Sequence, residues 1–469
     1  MKSIQSLKFN LRQIYNFELQ DFEPVTQVEL RDLIVTPIVL ILVYVVAYLV
    51  RPHVTDNVSR KYFFPAFTLK IVGAICLGLL YQFYYNGGDT FNFHTRGSRI
   101  IWEAFMDSPL VGFKLLLSKG IYEPGVYKYA SEIPFYRDAS SFFVIRVASI
   151  FDLITFSSYS ATAVLFSVIS FAGAWVLFLT FYQSSPTLHR WIAIATLFIP
   201  SVIFWGSGLL KDTLTLAAIG FLTYAVYKLF IQKRFSFGSV ILMLLSAWVI
   251  FSIKKYILLC FLPALLLWVY AGQLASIKSL VARILTVPVV ISVLIISGYY
   301  AIYFVGKDDP RYSIDKLAET AQITAYDIGF YTGKDAGSTY SLGELDGTFV
   351  NMVGKAPQAI NVSLFRPYLW EIKNPLMLLS ALESVLMLMA TIYVAFKSRL
   401  RIKFLINPTV LFCLVFSITF AFAVGVSTFN FGTLARYKIP LLPFYILALI
   451  FLLHYSNRDK KLPVLESTE

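Results

Sequence analysis

Polar residues along this chain are gathered into short clusters, and the stretches between them are continuously apolar. Several of those stretches reach or approach the roughly 20 residues needed to cross a bilayer. The pattern predicts membrane-spanning helices at 33–50, 64–85, 159–182, 191–205, 214–230, 240–252, 256–271, 284–305, 375–396, 409–426 and 439–454. The runs 240–252 and 256–271 are short, flank Lys254 and Lys255, and read as a helical hairpin that barely crosses. The runs are aromatic-rich and do not alternate, which excludes the two-residue period of a membrane β-barrel. The expected fold is therefore all-α, a polytopic membrane helical bundle of about eleven spans.

Between the runs the pattern divides the chain into few parts. Residues 1–32 form a polar N-terminal segment with an interfacial helix expected over 6–17; it holds no apolar core of a cleavable signal peptide. Residues 33–455 form the transmembrane domain, with two large connections at 86–158 and 306–374, and 456–469 form a polar tail. Within 86–158, half-apolar pieces at 111–117 and 142–156 suit helices lying along the membrane surface, although the second is alternatively a short extra span. A connection that long inside a compact protein is usually functional.

Composition agrees with the pattern. The chain is 58% hydrophobic and 14% charged, against about 45–50% and 25% in soluble domains. Its three cysteines, Cys76, Cys260 and Cys413, fall in three separate apolar runs, where they read as small buried hydrophobes. The net charge of +13 would suit nucleic acid were it not for its placement. Short basic connections at 51–61, 189–190, 228–234, 278–283 and 397–403, with the tail at 458–461, alternate with the others and carry almost no acid. That is the positive-inside pattern, and anionic membrane lipids account for it with no nucleic-acid partner. The remaining connections, 86–158, 206–212, 254–255, 306–374 and 427–438, then face outward, and eleven spans would put the N-terminus outside as well.

All the unusual polar residues fall on that outward face. Asn86-Gly-Gly-Asp89 opens the first large connection, with His94 and Arg96 about a helical turn further on. Asp89 reads either as a cap for a following helix or as a carboxylate at the bilayer edge, able to take a proton from a hydroxyl or to hold a divalent cation. His94 and Arg96 are phosphate-binding candidates, and His94, as a lone histidine, reads equally as a structural residue. Gly206-Ser-Gly-Leu-Leu-Lys211-Asp212 joins two spans; Lys211 offers a charge to a ligand, and Asp212 reads as ligand-binding or as a helix cap. Lys254 and Lys255 stand outward against the charge bias, which suits a lipid phosphate better than snorkelling alone. Arg366 precedes Pro367, a fixed turn that presents a guanidinium to a phosphate or diphosphate. Arg436, Tyr437 and Lys438 stand at the mouth of the last span. Within the spans Glu383 reads as the one clear ionisable residue, costly there unless paired.

The layout resembles the GT-C superfamily of polytopic glycosyltransferases, especially bacterial members that use polyprenyl-phosphate sugars in surface polysaccharide assembly. Asp89 stands early in the first large external loop, where that superfamily keeps its catalytic aspartate, and interfacial helices are expected after it. The ending Arg436-Tyr437-Lys438-Ile439-Pro440 looks like the Arg-Tyr-x-x-Pro ending of many such enzymes. Here a further span precedes the acidic loop and Thr90, not a second acid, follows Asp89. The resemblance implies an inverting membrane glycosyltransferase at the outer face of a bacterial inner membrane. Asp89 would activate an acceptor hydroxyl on a glycan or lipid. Lys211, Lys254, Lys255, Arg366 and Arg436 would hold the phosphate of the lipid-linked sugar donor, with Asp212 and Lys438 beside them. The metal requirement stays open. Polysaccharide polymerases or ligases, which work through arginines and a histidine, and a flippase or transporter of lipid-linked glycans are the competing expectations.

Overall fold

Helices pair along their lengths through contacts that fix which end of each helix lies beside which. A computed structural model describes residues 29–276, 314–331, 338–398, 402–405 and 407–461. The expected helices at 6–17 and 284–305 lie outside the described residues. Among the described residues the fold is an all-α helical bundle, with one isolated antiparallel bridge between Thr339 and Asn430.

Among the described residues seven helices are long and apolar enough to cross a membrane: Leu30–Val54, Arg60–Phe83, Tyr159–Ser184, Lys211–Ile231, Lys255–Gln273, Pro375–Lys397 and Pro408–Thr428. The pair Phe431–Tyr437 and Leu441–Asn457, bent by 65°, makes an eighth if it counts as one span. The protein is thus multi-pass. Phe237–Ile253 is apolar but shorter, as expected of 240–252, whereas the expected span 191–205 takes a different form and is broken into the helices His189–Leu197 and Pro200–Trp205. Pro200, which has no N–H to give a preceding turn, starts the second of them.

One end of the bundle joins Tyr62 to His189 (2.8 Å), Tyr182 to Asp56 (2.6 Å) and Gln232 to Gln183 (3.2 Å). The opposite end joins Thr90 to Tyr159 (2.8 Å) and gathers the acids and bases described below. Three of the basic connections therefore share one end, and the candidate residues the other. In the middle, Tyr159–Ser184 and Lys211–Val226 touch backbone to backbone. A Cβ added at Gly220 would stand 2.1 Å from the carbonyl oxygen of Gly173, so only glycine permits this approach. The first span is anchored at its start, where Asp32 accepts hydrogen bonds from Ser158 Oγ (2.7 Å) and Ser160 N (3.0 Å), and again further along, where Tyr44 meets Thr68 (2.7 Å) and Val54 O accepts from Trp175 Nε1 (3.2 Å). Only 11% of its apolar window is buried, as suits a helix whose solvent is lipid.

The connection 86–158 is a chain of helices, Asp89–Phe93, Arg99–Asp107, Pro109–Leu117, Tyr127–Ala130 and Ala139–Thr155, with a π-helical turn at His94–Ser98. Ala139–Thr155 covers the piece at 142–156 and is not among the helices apolar enough to cross. In the second large connection, Ala356–Phe365 runs down beside Pro408–Thr428. Ser363 Oγ donates to Ala421 O at 2.6 Å, and Gly425 lies against Ala359. The carbonyl of Arg366 then accepts from Ser384 Oγ at 3.0 Å, well inside Pro375–Lys397. This stretch dips into the bundle and returns, where the hydrophobic pattern suggested a surface loop.

Candidate functional site

Gly87 and Gly88 take φ values of +134° and +120°, which lets the chain turn off Arg60–Phe83 and start the helix Asp89–Phe93. Gly88, not Asp89, occupies the cap position. The Asp89 carboxylate points elsewhere. It accepts from Arg436 Nη1 at 2.7 Å.

Arg436 comes from Phe431–Tyr437, the short helix before the 65° bend. Its Nε donates to one oxygen of Asp212, and Lys254 Nζ donates to the other. Asp212 lies in the first turn of Lys211–Val226 but, like Asp89, does not cap it: the cap position is Leu210 and makes no side-chain bond. A carboxylate in a first turn also suits the positive end of the helix. Lys254, at the corner between Phe237–Ile253 and Lys255–Ser276, lies 4.0 Å over the ring of Tyr437. Four elements far apart in sequence thus supply one hydrogen-bonded line, Asp89, Arg436, Asp212, Lys254. Exposure falls from Asp89 through Arg436 to Asp212, and Lys254 beyond it is again nearly buried. The Asp89 side chain is 44% exposed, Arg436 12%, Lys254 7% and Asp212 1%. Two carboxylates and two cations leave the cluster formally neutral.

The other candidates distribute around this line. Lys211 reaches away to Ser140 Oγ (2.7 Å) and Asp138 Oδ2 (3.2 Å). Burial pushes the Asp138 carboxyl up, but Lys211 and the hydroxyls of Ser141 and Ser140 outweigh it and hold it below the usual range. Arg366 is clamped on Glu371, with Nε 3.1 and 3.0 Å from the two carboxylate oxygens, and lies 5.3 Å from the ring of Phe431. Glu371 is held below its ordinary value: partial burial opposes this, and the hydrogen bonds from Arg366 and Tyr368 N prevail. Lys438 is buried and reaches Ser384 Oγ (3.2 Å) and Arg366 O (3.4 Å). Arg366, Glu371, Ser384 and Lys438 therefore form a second polar cluster, and Phe431–Tyr437 links it to the first. Lys255 lies 4.9 Å from the ring of Phe251, one residue beyond the first cluster.

Of the two readings of His94, the structural one fits and the phosphate-binding one does not. His94 is sealed in the protein, 3.4 Å from Asp152 and packed edge-on to Tyr159, where no ligand reaches it. Arg96 stands part-exposed on the same π-helical turn. Among the described residues no three metal-ligating side chains converge. Asp89 and Asp212 have Arg436 between them, so these two acids alone do not make a cation cage.

No family model matches the chain, and neither the curated proteins nor the solved structures include a significant match to it.

Sequence reasoning missed Lys70. It sits inside Arg60–Phe83, buried, and donates to the carbonyls of Val202 (3.0 Å) and Gly206 (3.1 Å). Glu383 is therefore not the one ionisable group within the spans. The signal was present, because a lysine amid an apolar run is costly without a reason.

Proposed function

We propose that this chain is a membrane glycosyltransferase that moves a sugar from a polyprenyl-phosphate-linked donor to a glycan or lipid hydroxyl. The observation that carries this reading is the graded line of charges: an accessible carboxylate, Asp89, held by an arginine that is itself anchored on a buried acid and lysine. Asp89 takes the proton of the acceptor hydroxyl as the new bond to the anomeric carbon forms. The bond to the donor phosphate breaks on the opposite face, which inverts that carbon. Negative charge then grows on the departing phosphate, and fixed cations stabilise it without reorganising. Arg436 is the nearest such cation. The donor phosphate competes with Asp89 for it, so donor binding also releases the base.

The basic connections at the opposite end of the bundle support an external, periplasm-facing site in a bacterial inner membrane. The resemblance to GT-C enzymes points the same way. A polymerase or ligase built around an accessible histidine is disfavoured by the burial of His94. A transporter of lipid-linked glycans draws support from the interrupted helices at 198–199 and 438–440.

Asp89→Asn in the full chain, reconstituted in vesicles, separates these readings. Sugar transfer and binding of the polyprenyl-phosphate sugar are measured together. Lost transfer with retained binding is expected; transfer at the unmodified rate in correctly inserted protein refutes the role of Asp89.

A further inference from the structure

The six-residue helix Pro200–Trp205 lies within the bundle and meets a charged side chain at each end. At its start, Ser201 donates through N (3.0 Å) and Oγ (2.7 Å) to the carboxylate of Glu383, which comes from the helix Pro375–Lys397. At its finish, the ammonium of Lys70, from Arg60–Phe83, takes the carbonyls of Val202 and Gly206. Ser170 Oγ donates to the same Gly206 carbonyl, and Ser207 Oγ closes on Ile203 O. The signs match the helix: acid where backbone N–H groups point out, base where carbonyls do. Among the described residues Lys70 makes no ion pair with a carboxylate, so backbone carbonyls are what hold it. Gly73, on the same face as Lys70, lets the helix end approach so closely that a Cβ there would stand 2.6 Å from Ile203 O. The chain that leaves this end is 206–212, and it ends on Asp212.

We propose that Lys70 and Glu383 are a pair of positioning residues that hold Pro200–Trp205 from its two ends and so fix segment 206–212, and with it Asp212, beneath Arg436. A carboxylate buried between two cations tolerates little displacement before one hydrogen bond is lost. Asp212 stands in the first turn of Lys211–Val226, and the stretch 206–210 that leads into that turn has little regular hydrogen bonding of its own: Leu210 N bonds Gly208 O at 2.9 Å, and Thr213 Oγ1 returns to Gly208 O. The helix supplies the rigidity instead, and it is too short to hold its place unaided. The proposal takes the Asp89–Lys254 cluster as the working site and does not depend on which reaction occurs there.

Backbone hydrogen exchange of the full chain in lipid nanodiscs tests it, comparing Lys70→Met, Lys70→Arg, Glu383→Gln and the Lys70→Met/Glu383→Gln double variant. Among the described residues Glu383 hydrogen-bonds only Ser201, at the far end of the helix from 206–212, and its charge also acts on Lys438, so Glu383→Gln is decisive where exchange at 206–212 rises together with that at 199–203. Several-fold faster exchange is expected at 206–212 in both Glu383→Gln and Lys70→Met, with Lys70→Arg near the unmodified rate. The double variant should exchange no faster than the faster single one, because either change releases the same helix. Faster exchange confined to 199–203 in Glu383→Gln, with 206–212 unmoved, overturns the proposal. So does a double variant whose acceleration is the product of the two singles. If Lys70→Met does not fold, Glu383→Gln and Lys70→Arg still decide. No substrate enters the measurement, so its failure is distinct from a failure of the transfer reading.

Discussion

Asp212→Asn is the perturbation that most directly measures how the charge cluster is held together. The substitution keeps the shape and removes the charge, leaving Lys254 and Arg436 in place. Lys254 then has no acid, while Arg436 keeps Asp89. Removing one partner of a buried ion pair costs about 3–5 kcal/mol, since the remaining charge stays desolvated. Asp89→Asn removes the same formal charge from a side chain that is 44% exposed. Solvent screening reduces that loss to about 1 kcal/mol or less. Unfolding of the purified full chain in mixed micelles, followed by tryptophan fluorescence against increasing denaturing detergent, ranks the two. Asp212→Asn should lower stability several times more than Asp89→Asn, and adding Lys254→Met to Asp212→Asn should recover part of the loss. An Asp89→Asn variant as unstable as Asp212→Asn refutes the graded burial of the line. A double variant whose losses simply add refutes the pairing. The comparison also protects the functional test, since an Asp89→Asn protein that folds normally and fails to transfer has lost chemistry, not structure.

Two further outcomes follow from local geometry. Gly220→Ala should destabilise the bundle by about 1–3 kcal/mol, the usual cost of overpacking, because the new methyl meets the Gly173 backbone; Gly272→Ala, with nothing within 4 Å, should be neutral or stabilising in the same unfolding assay. At the opposite end of the bundle, burial raises the Asp56 carboxyl, but hydrogen bonds from Tyr182, Ser59 and Val58 N bring it down to about 2 from 3.8. A carboxyl lowered on folding contributes stability that is present above its unfolded value and lost as pH falls. The protein should therefore lose part of its stability between about pH 4 and pH 2, and Asp56→Asn should flatten that part of the stability–pH curve.

Much of the architecture was legible because lipid imposes one strong rule, that a spanning segment be a long apolar helix. The seven long spans obey it. The rule failed where freed backbone groups find side-chain partners: 191–205 breaks at Pro200 with Glu383 and Lys70 satisfying the freed groups, and 356–374 dips inward although its polarity reads as a loop. At the site, charge placement gathered Asp89, Asp212, Lys254 and Arg436 onto one face, and the structure joins them directly. Their order was not legible. The sequence offers Lys254 and Arg436 as cations awaiting an anion, whereas each already shares Asp212. The phosphate-binding reading of His94 went wrong for a related reason, since proximity in sequence to Asp89 says nothing of which way a π-helical turn faces. Lys70 meets backbone carbonyls 132 and 136 positions away, and a carbonyl leaves no mark in sequence.

The line of charges has a consequence for how the protein is made. Asp212 is threaded into the membrane before either of its partners. Lys254 follows 42 residues later, whereas Arg436 arrives 224 residues after Asp212 and 347 after Asp89. A nascent chain therefore carries Asp212 with only one of its two cationic partners, Lys254, until the last helical hairpin enters. Chains released before that hairpin would hold all of the early spans and still expose a polar defect to lipid. Surveillance proteases that recognise unpaired charge in the bilayer would then have a direct way to distinguish finished molecules from unfinished ones.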